Sequence, residues 1–249
     1  MKISIITSVW NNKETIKDAI ESVLSQTYKN IEYIVVDGAS SDGTIEIVQK
    51  YRDNITKFIS EKDSGIYDGL NRGISLATGD VVAFLHSDDI YANYTIIEEI
   101  AQQFESDESL DGIYGDLVYT PKNDTDKVLR YWKSKEFEIG LLSKGWMPAH
   151  PTFFVKRKVY ERYGMFRTDL KIAADFDILI RFLLTHKISY SYIQEVLVKM
   201  RIGGVSTSFN SIWINNIETL RVCRDNGVKT NIFKILSKYP AKILGLLKK

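Results

Sequence analysis

The 249-residue chain has one cysteine, four prolines and three histidines. A single thiol, Cys223, excludes an internal disulfide framework and suits a reducing compartment; it reads as a small packed residue. Charge bias is missing too: 33 Lys and Arg stand against 32 Asp and Glu, so bulk charge gives no reason to expect nucleic-acid binding. No apolar stretch approaches the roughly 18 to 20 residues that span a bilayer. The opening MKISIITSVW is apolar but short. It contains Ser4, Thr7 and Ser8 and leads into Asn11 and Asn12 without a small-residue cleavage site, so it reads as a first strand and not a secretory leader. A protein that is soluble or lies on a membrane surface is expected. No linker rich in Pro, Gly or Ser, no internal repeat and no low-complexity tract divides the chain.

What is present is alternation. Ile3 to Val9, Ile31 to Asp37, Lys57 to Ser60 and Asp80 to His86 read as strands. Between them Lys13 to Ser25, the stretch from Thr44, and Tyr67 to Ala77 read as amphipathic helices. Such an order predicts an α/β fold with a mostly parallel sheet and helices on both faces. Beyond Asp89 the pattern loosens. It predicts a helix near Tyr94 to Glu105, an antiparallel pair at Gly112 to Tyr119 and Val128 to Trp132, and a strand at TFFV. A helix at Asp175 to Thr185 and strands at Ile188 to Ile193 and Val196 to Met200 follow.

Carboxylates recur where strands end. In IEYIVVDGASSDGTIEIV, Asp37 closes a strand and Gly38 and Gly43 let the chain turn beside a bound group. The same residues also suit a plain turn that caps the following helix. Asp63 and Asp68 follow in EKDSGIYDGLNRG, then Asp88 and Asp89 in FLHSDD. Adjacent carboxylates repel unless protonated, exposed or bridged by a cation, and Mg²⁺ and Mn²⁺ favour such oxygens. A solvated loop capping the next helix is the plainer account of Asp88 and Asp89.

Taken in order, TSVWNN, VVDGASSDGT, SEKDSGIYDGLNRGISLATGD, FLHSDD and AADFDILIR resemble the bacterial family 2 glycosyltransferases, inverting enzymes of the GT-A fold that build surface polysaccharides. The resemblance covers about Lys2 to Ser208. It implies a GT-A domain over residues 1–208, with a nucleotide-sugar half at 1–89 and an acceptor and catalytic half at 90–208. A helical, basic, amphipathic tail would occupy 209–249. Thr7, Val9 and Trp10 would border the nucleotide, Asp37 would bond the base, expected to be uracil, and Asp68 and Asn71 would shape the pocket, with Gly73 packing closely. Asp88 and Asp89 would form the DxD-like element that holds ribose and a Mn²⁺ or Mg²⁺ ion. His86 departs from the commonest pattern, which has an acidic residue there, and this leaves open which of the pair holds the metal.

The resemblance also places the reaction. Inversion needs a base to take the acceptor's proton. In AADFDILIR, Ala174 replaces the family's Glu and Asp175 falls on the base position. Asp175 is equally suited to cap the helix it opens, and both roles can hold. Asp177 is the alternative base, but it points about 200° away along a helix. Trp146 and His150 lie in the loop that receives the acceptor in related enzymes. Arg201, opening RIGGVSTS, would be a cation near the diphosphate at the root of a mobile lid.

The tail from Lys229 to Lys249 holds six lysines and no acidic residue. Ile232, Leu236, Tyr239, Ile243 and Leu247 gather on one side of a helical wheel. Pro240 divides it into two segments, as expected of a helix in a membrane interface or of a stripe packed on the domain. The reading is a metal-dependent transferase that moves a sugar from a UDP-sugar to a lipid-linked oligosaccharide. It would work in the cytoplasm, peripheral on the anionic inner leaflet, with no nucleic-acid partner. A sugar-1-phosphate nucleotidyltransferase would carry a Gly-rich basic loop where TSVWNNKET stands, and a non-catalytic nucleotide-sugar scaffold would have no use for Asp175.

Overall fold

The β-branched run at the chain's start forms β1 (Ile3–Val9), buried at every position. The computed structural model describes residues 1–203 and 209–238. α1 (Ile16–Leu24), β2 (Ile31–Asp37), α2 (Thr44–Gln49), β3 (Lys57–Ser60), α3 (Ile66–Leu76) and β4 (Val81–Phe84) follow. The four strands lie in the order β3-β2-β1-β4, all parallel. Alternation along β1 feeds two cores. Ile3 and Ile5 join the cluster that holds Ile16, Ile20 and Val23 of α1. Ile6 joins the cluster that holds Leu70 and Ile74 of α3. Strands buried on both faces therefore carry no polar stripe. The α3 side is tight: a Cβ on Gly73 would stand 2.3 Å from Ile6 Cγ2.

The second half extends the same sheet. It comprises β5 (Ile90–Tyr91), α4 (Ile96–Ser106), β6 (Gly112–Thr120), β7 (Arg130–Trp132), α5 (Ile139–Leu142), β8 (Phe154–Lys156), α6 (Arg157–Tyr163), α7 (Ala174–Ile180), β9 (Tyr190–Arg201), α8 (Phe209–Asp225) and α9 (Ile232–Leu236). β8 pairs antiparallel with both β4 and β6, so β6 runs with β4, and β9 runs parallel to β6. The C-terminal ends of β1, β2, β4, β6 and β9 consequently share one edge, where ligands of open α/β sheets bind.

The expected antiparallel pair is β6 with β7. The two strands expected at Ile188 to Ile193 and Val196 to Met200 are instead one strand, β9. It stays continuous because the extra residues are taken up as bulges in β9 itself: Tyr114 pairs with Tyr192, Asp116 with Val196 and Leu117 with Val198. The long helix expected from Asp175 changes to a π-helical turn at Arg181–Thr185. α6 was not expected, its apolar signal being only Val159 and Tyr160, both buried.

The tail starts as part of the core. Val222, Cys223 and Val228 lie in the cluster that holds Ile178 and Leu179 of α7, and burial pushes the Cys223 thiol up to about 11. In α9 the most buried residue is Ile235, not the expected Ile232 and Leu236, while Phe233 is exposed. Residues 204–208 of the expected lid and 239–249 of the expected amphipathic tail lie outside the described residues. Among the described residues no helix is long and apolar enough to cross a membrane.

Candidate active site

Asp37 ends β2 with its side chain wholly buried. Its Oδ2 accepts from Ser40 N–H at 3.0 Å and Ser60 Oγ at 2.7 Å, whereas Oδ1 is buried with no partner. A buried carboxylate oxygen left unpaired is costly, so Oδ1 is an open acceptor at this edge of the sheet. Trp10, one residue beyond β1, is largely exposed beside this edge.

After β4 the chain turns through His86, Ser87, Asp88 and Asp89. The segment leading into α1 holds this turn: Thr15 Oγ1 donates to Ser87 O at 2.9 Å, and Asn12 Nδ2 donates to Ser87 Oγ at 2.9 Å. Arg201 holds it from β9. Its N–H donates to Asp89 Oδ1 at 3.2 Å, Nη1 to Asp88 O at 2.8 Å, Nε to Lys122 O at 3.0 Å and Nη2 to Asp18 Oδ2 at 2.5 Å.

Asp88 is half-buried and Asp89 fully buried, with Asp89 Oδ2 unpartnered. Burial first, then the Asp88 charge, pushes the Asp89 carboxyl well above the usual carboxylate range. Two neighbouring carboxylates with a spare buried oxygen fit a hard divalent cation. Among the described residues no group of three or more His, Cys, Asp and Glu side chains is arranged to hold a metal ion. A cation here would therefore depend on oxygens from the donor and water.

Asp175 stands in the first turn of α7. α8 fixes its approach: Glu218 accepts the N–H groups of Lys171, Ile172 and Ala173 at 2.8 to 3.0 Å. Asp175 Oδ1 accepts from Phe176 N–H at 2.8 Å. Oδ2 lies 3.1 Å from His150 Nδ1, but out of line, so Nδ1 has no hydrogen-bond partner. Burial raises the Asp175 carboxyl to about 6 and lowers His150 to about 4. His86 meets His150 edge-on at 5.9 Å between ring centroids; burial, then the His150 charge, lowers it to about 4. The pair of histidines thus joins the Asp88 turn to Asp175.

Several expected contacts are corrected. Thr7 is fully buried, and its hydroxyl donates to Leu85 O at 2.8 Å and bonds Tyr33 Oη at 3.1 Å, tying β1 to its neighbours. Val9 is packed in the core. Asn71 is spent in two bonds to the Phe166 backbone, each 2.9 Å. Asp68 accepts from Ser64 N–H and from Arg72. Arg201 is a buried clamp and not a cation offered to phosphate, since its guanidinium is already shared between Asp18 and two carbonyls. Asp177 is buried against Arg181, Nε to Oδ2 2.8 Å, and Arg167, so it serves as a strut. Trp146 is half-buried in the loop before His150. Glu218, Ser40 and Ser60 carried no signal in the sequence, being ordinary polar residues whose partners are distant or backbone.

The profile named Glycosyl transferase family 2 matches residues 4–164. An uncharacterised glycosyltransferase of Rickettsia typhi is 31% identical over 216 residues, 83% of this chain and 65% of its own. The chain thus spans about two thirds of that relative. A PGL/p-HBAD biosynthesis glycosyltransferase of Mycobacterium bovis is 26% identical over 209 residues, 82% of this chain and 79% of its own. Among solved structures, S. aureus TarS 1-349 in complex with UDP-GlcNAc has a TM-score of 0.67 at 18% identity, covering 90% of this chain and 67% of that one. The mannosyltransferase PcManGT from Pyrobaculum calidifontis, in complex with GDP-Man and Mn²⁺, has a TM-score of 0.66 at 21% identity, covering 95% and 68%. These two show the GT-A type of fold, and with the profile spanning most of the sheet and its C-terminal edge, the chain belongs to glycosyl transferase family 2.

Proposed function

We propose that this chain transfers a sugar, with inversion, from a UDP-sugar to a hydroxyl of a lipid-linked oligosaccharide, using Asp175 as base. The observation that carries the reading is that His86 and His150 link the turn bearing Asp88 to Asp175, which supports one carboxylate serving the donor and the other the acceptor. In the reaction the acceptor oxygen bonds the anomeric carbon as the bond to the diphosphate breaks. The electron pair leaves with the phosphate oxygen, and the hydroxyl proton passes to Asp175. A carboxyl near 6 is ionised at neutral pH yet basic enough to take that proton.

Asp37 Oδ1 receives the base N–H, and Trp10 flanks the nucleotide. Asp88, the more accessible of the pair, and Asp89 are the residues that would hold Mn²⁺ or Mg²⁺. The cation, when bound, supplies charge neutralisation for the departing diphosphate. The solved neighbours named with UDP-GlcNAc and with GDP-Man and Mn²⁺ support a nucleotide-sugar donor and a metal. The six lysines between Lys229 and Lys249 support an anionic inner-leaflet surface as the place where a lipid-linked acceptor is met.

The test is a panel of UDP- and GDP-sugars, with and without chelator, scored for release of the nucleoside diphosphate. A UDP-sugar hydrolysed only with Mn²⁺ or Mg²⁺ supports the reading. Turnover in excess chelator removes the metal from it, and a GDP-sugar preference removes the uracil assignment.

A further inference from the structure

His150 is held more firmly than an acceptor-contacting loop residue needs to be. Pro151 follows it. Ala149 N–H donates to Ser134 Oγ at 3.0 Å, and Phe153 N–H donates to His150 O at 3.1 Å. Thr152 Oγ1 donates toward Gly115 O at 2.9 Å and accepts from Gly115 N–H at 3.1 Å. The 3-10 turn His150–Thr152 is thereby riveted to β6. A fixed backbone aims the imidazole at one place, and that place is Asp175 Oδ2, 3.1 Å from Nδ1.

Nδ1 is shut off from solvent and has no hydrogen-bond partner. An orphaned buried nitrogen next to a carboxylate oxygen asks for an explanation. Burial keeps the ring neutral, so it carries one N–H. With Nδ1 facing a carboxylate, lone pair against lone pair is the unfavourable tautomer and Nδ1–H the favourable one. Only a small rotation of the ring is needed to bring that N–H into line. Catalytic hydrogen bonds are often misaligned without substrate and tighten when it binds.

We infer that His150 is the positioning partner of Asp175: its Nδ1–H engages Oδ2 and, together with Phe176 N–H on Oδ1, fixes the carboxylate so that the remaining Oδ2 lone pair faces the acceptor hydroxyl. This rests on Asp175 being the base. It replaces the acceptor contact expected of His150 with a role exerted through Asp175. The neighbouring charged and titratable groups, His86, Glu218 and Tyr67, lie near Asp175 but give its oxygens no hydrogen bond. His150 is thus the side chain placed to orient it.

The experiment compares His150→Asn, whose amide nitrogen falls near the place of Nδ1, with His150→Gln and His150→Ala, in full-length protein, with donor and acceptor saturation curves. Gln and Ala should lower kcat by about 10- to 100-fold, the scale of a misplaced catalytic group, and Asn should regain much of the loss. Acceptor KM and UDP affinity should stay within about twofold. An effect confined to acceptor KM, or equal losses in Asn and Gln, overturns the inference. Asp175→Asn runs alongside: if it stays active, the base assignment itself is wrong, whereas a dead Asp175→Asn with a fully active His150→Ala overturns only the positioning role. Should the variants misfold, ¹⁵N NMR of histidine-labelled wild type decides, an Nδ1–H tautomer supporting the inference and an Nε2–H tautomer overturning it.

Discussion

At the scale of single residues, Asp175 shows burial working against a charge and in favour of a reaction. Its carboxyl titrates near 6 when folded and near 3.9 in an unfolded chain. A raised carboxyl binds its proton more tightly in the folded state. Its cost to stability is therefore absent below about pH 4, grows as pH rises and is complete above about 6. Asp175→Asn should stabilise the fold by about 1 to 3 kcal/mol at neutral pH while lowering kcat by roughly 100-fold or more. Calorimetric melting and UDP titration check both halves, and a variant with lower melting temperature and weakened UDP binding contradicts the assignment. Wild-type kcat should rise with pH through about 6 for the same reason. The positions of the carboxylates were legible where one ended a strand or opened a helix: Asp37 closes β2, Asp88 follows β4 and Asp175 lies in the first turn of α7. Residue types misled at Thr7, Val9 and Asn71, because adjacency along the chain says nothing of which face a side chain takes; Thr7 and Val9 alternate inward with the rest of the core-facing set.

At the scale of elements, the site exists because β9 runs parallel to β6 and ends beside the turn after β4. Arg201 converts that end into a clamp on Asp88 and Asp89. Arg201→Ala should raise the donor KM about tenfold or more, because loosening the turn misplaces the donor-side carboxylate. Saturation kinetics against donor checks this, and an unchanged donor KM shows that the turn stands without the clamp. α3 makes a second, purely steric demand. Gly73→Ala drives a Cβ into Ile6, a wall of the central strand, and should cost about 1 to 3 kcal/mol, read as a lower denaturant midpoint. The first four strands and three helices were legible because both periodicities are clean there. The continuity of β9 and the existence of α6 were not. Each depends on contacts with elements far along the chain, Gly115 against Leu197 in one case and Tyr160 against Phe84 and Phe182 in the other.

For the whole molecule, charge is balanced overall and unbalanced locally. Six lysines and no acidic residue lie between Lys229 and Lys249, in a chain whose net charge is only +1. The start of this segment cannot be removed without damage: Ile235 is fully buried, and Thr230 Oγ1 donates to Ser143 O. Cutting after Lys238 spares those contacts and deletes Lys242, Lys248 and Lys249. A lysine near an anionic surface contributes roughly 1 kcal/mol, so three together contribute about 3 kcal/mol, on the order of 100-fold in partitioning. Full-length protein should co-sediment with phosphatidylserine vesicles at low salt and release as salt rises, since the attraction is screened within about 10 Å at 0.1 M. The protein cut after Lys238 should stay in the supernatant yet hydrolyse the donor at the wild-type rate, as should full-length protein with Lys242, Lys248 and Lys249 replaced by Glu. Full-length protein that ignores such vesicles at low salt removes the membrane surface from the proposal and leaves the lysines facing water. Loss of hydrolysis on truncation would instead make the segment part of the catalytic fold, extending the packing that Ile235 begins.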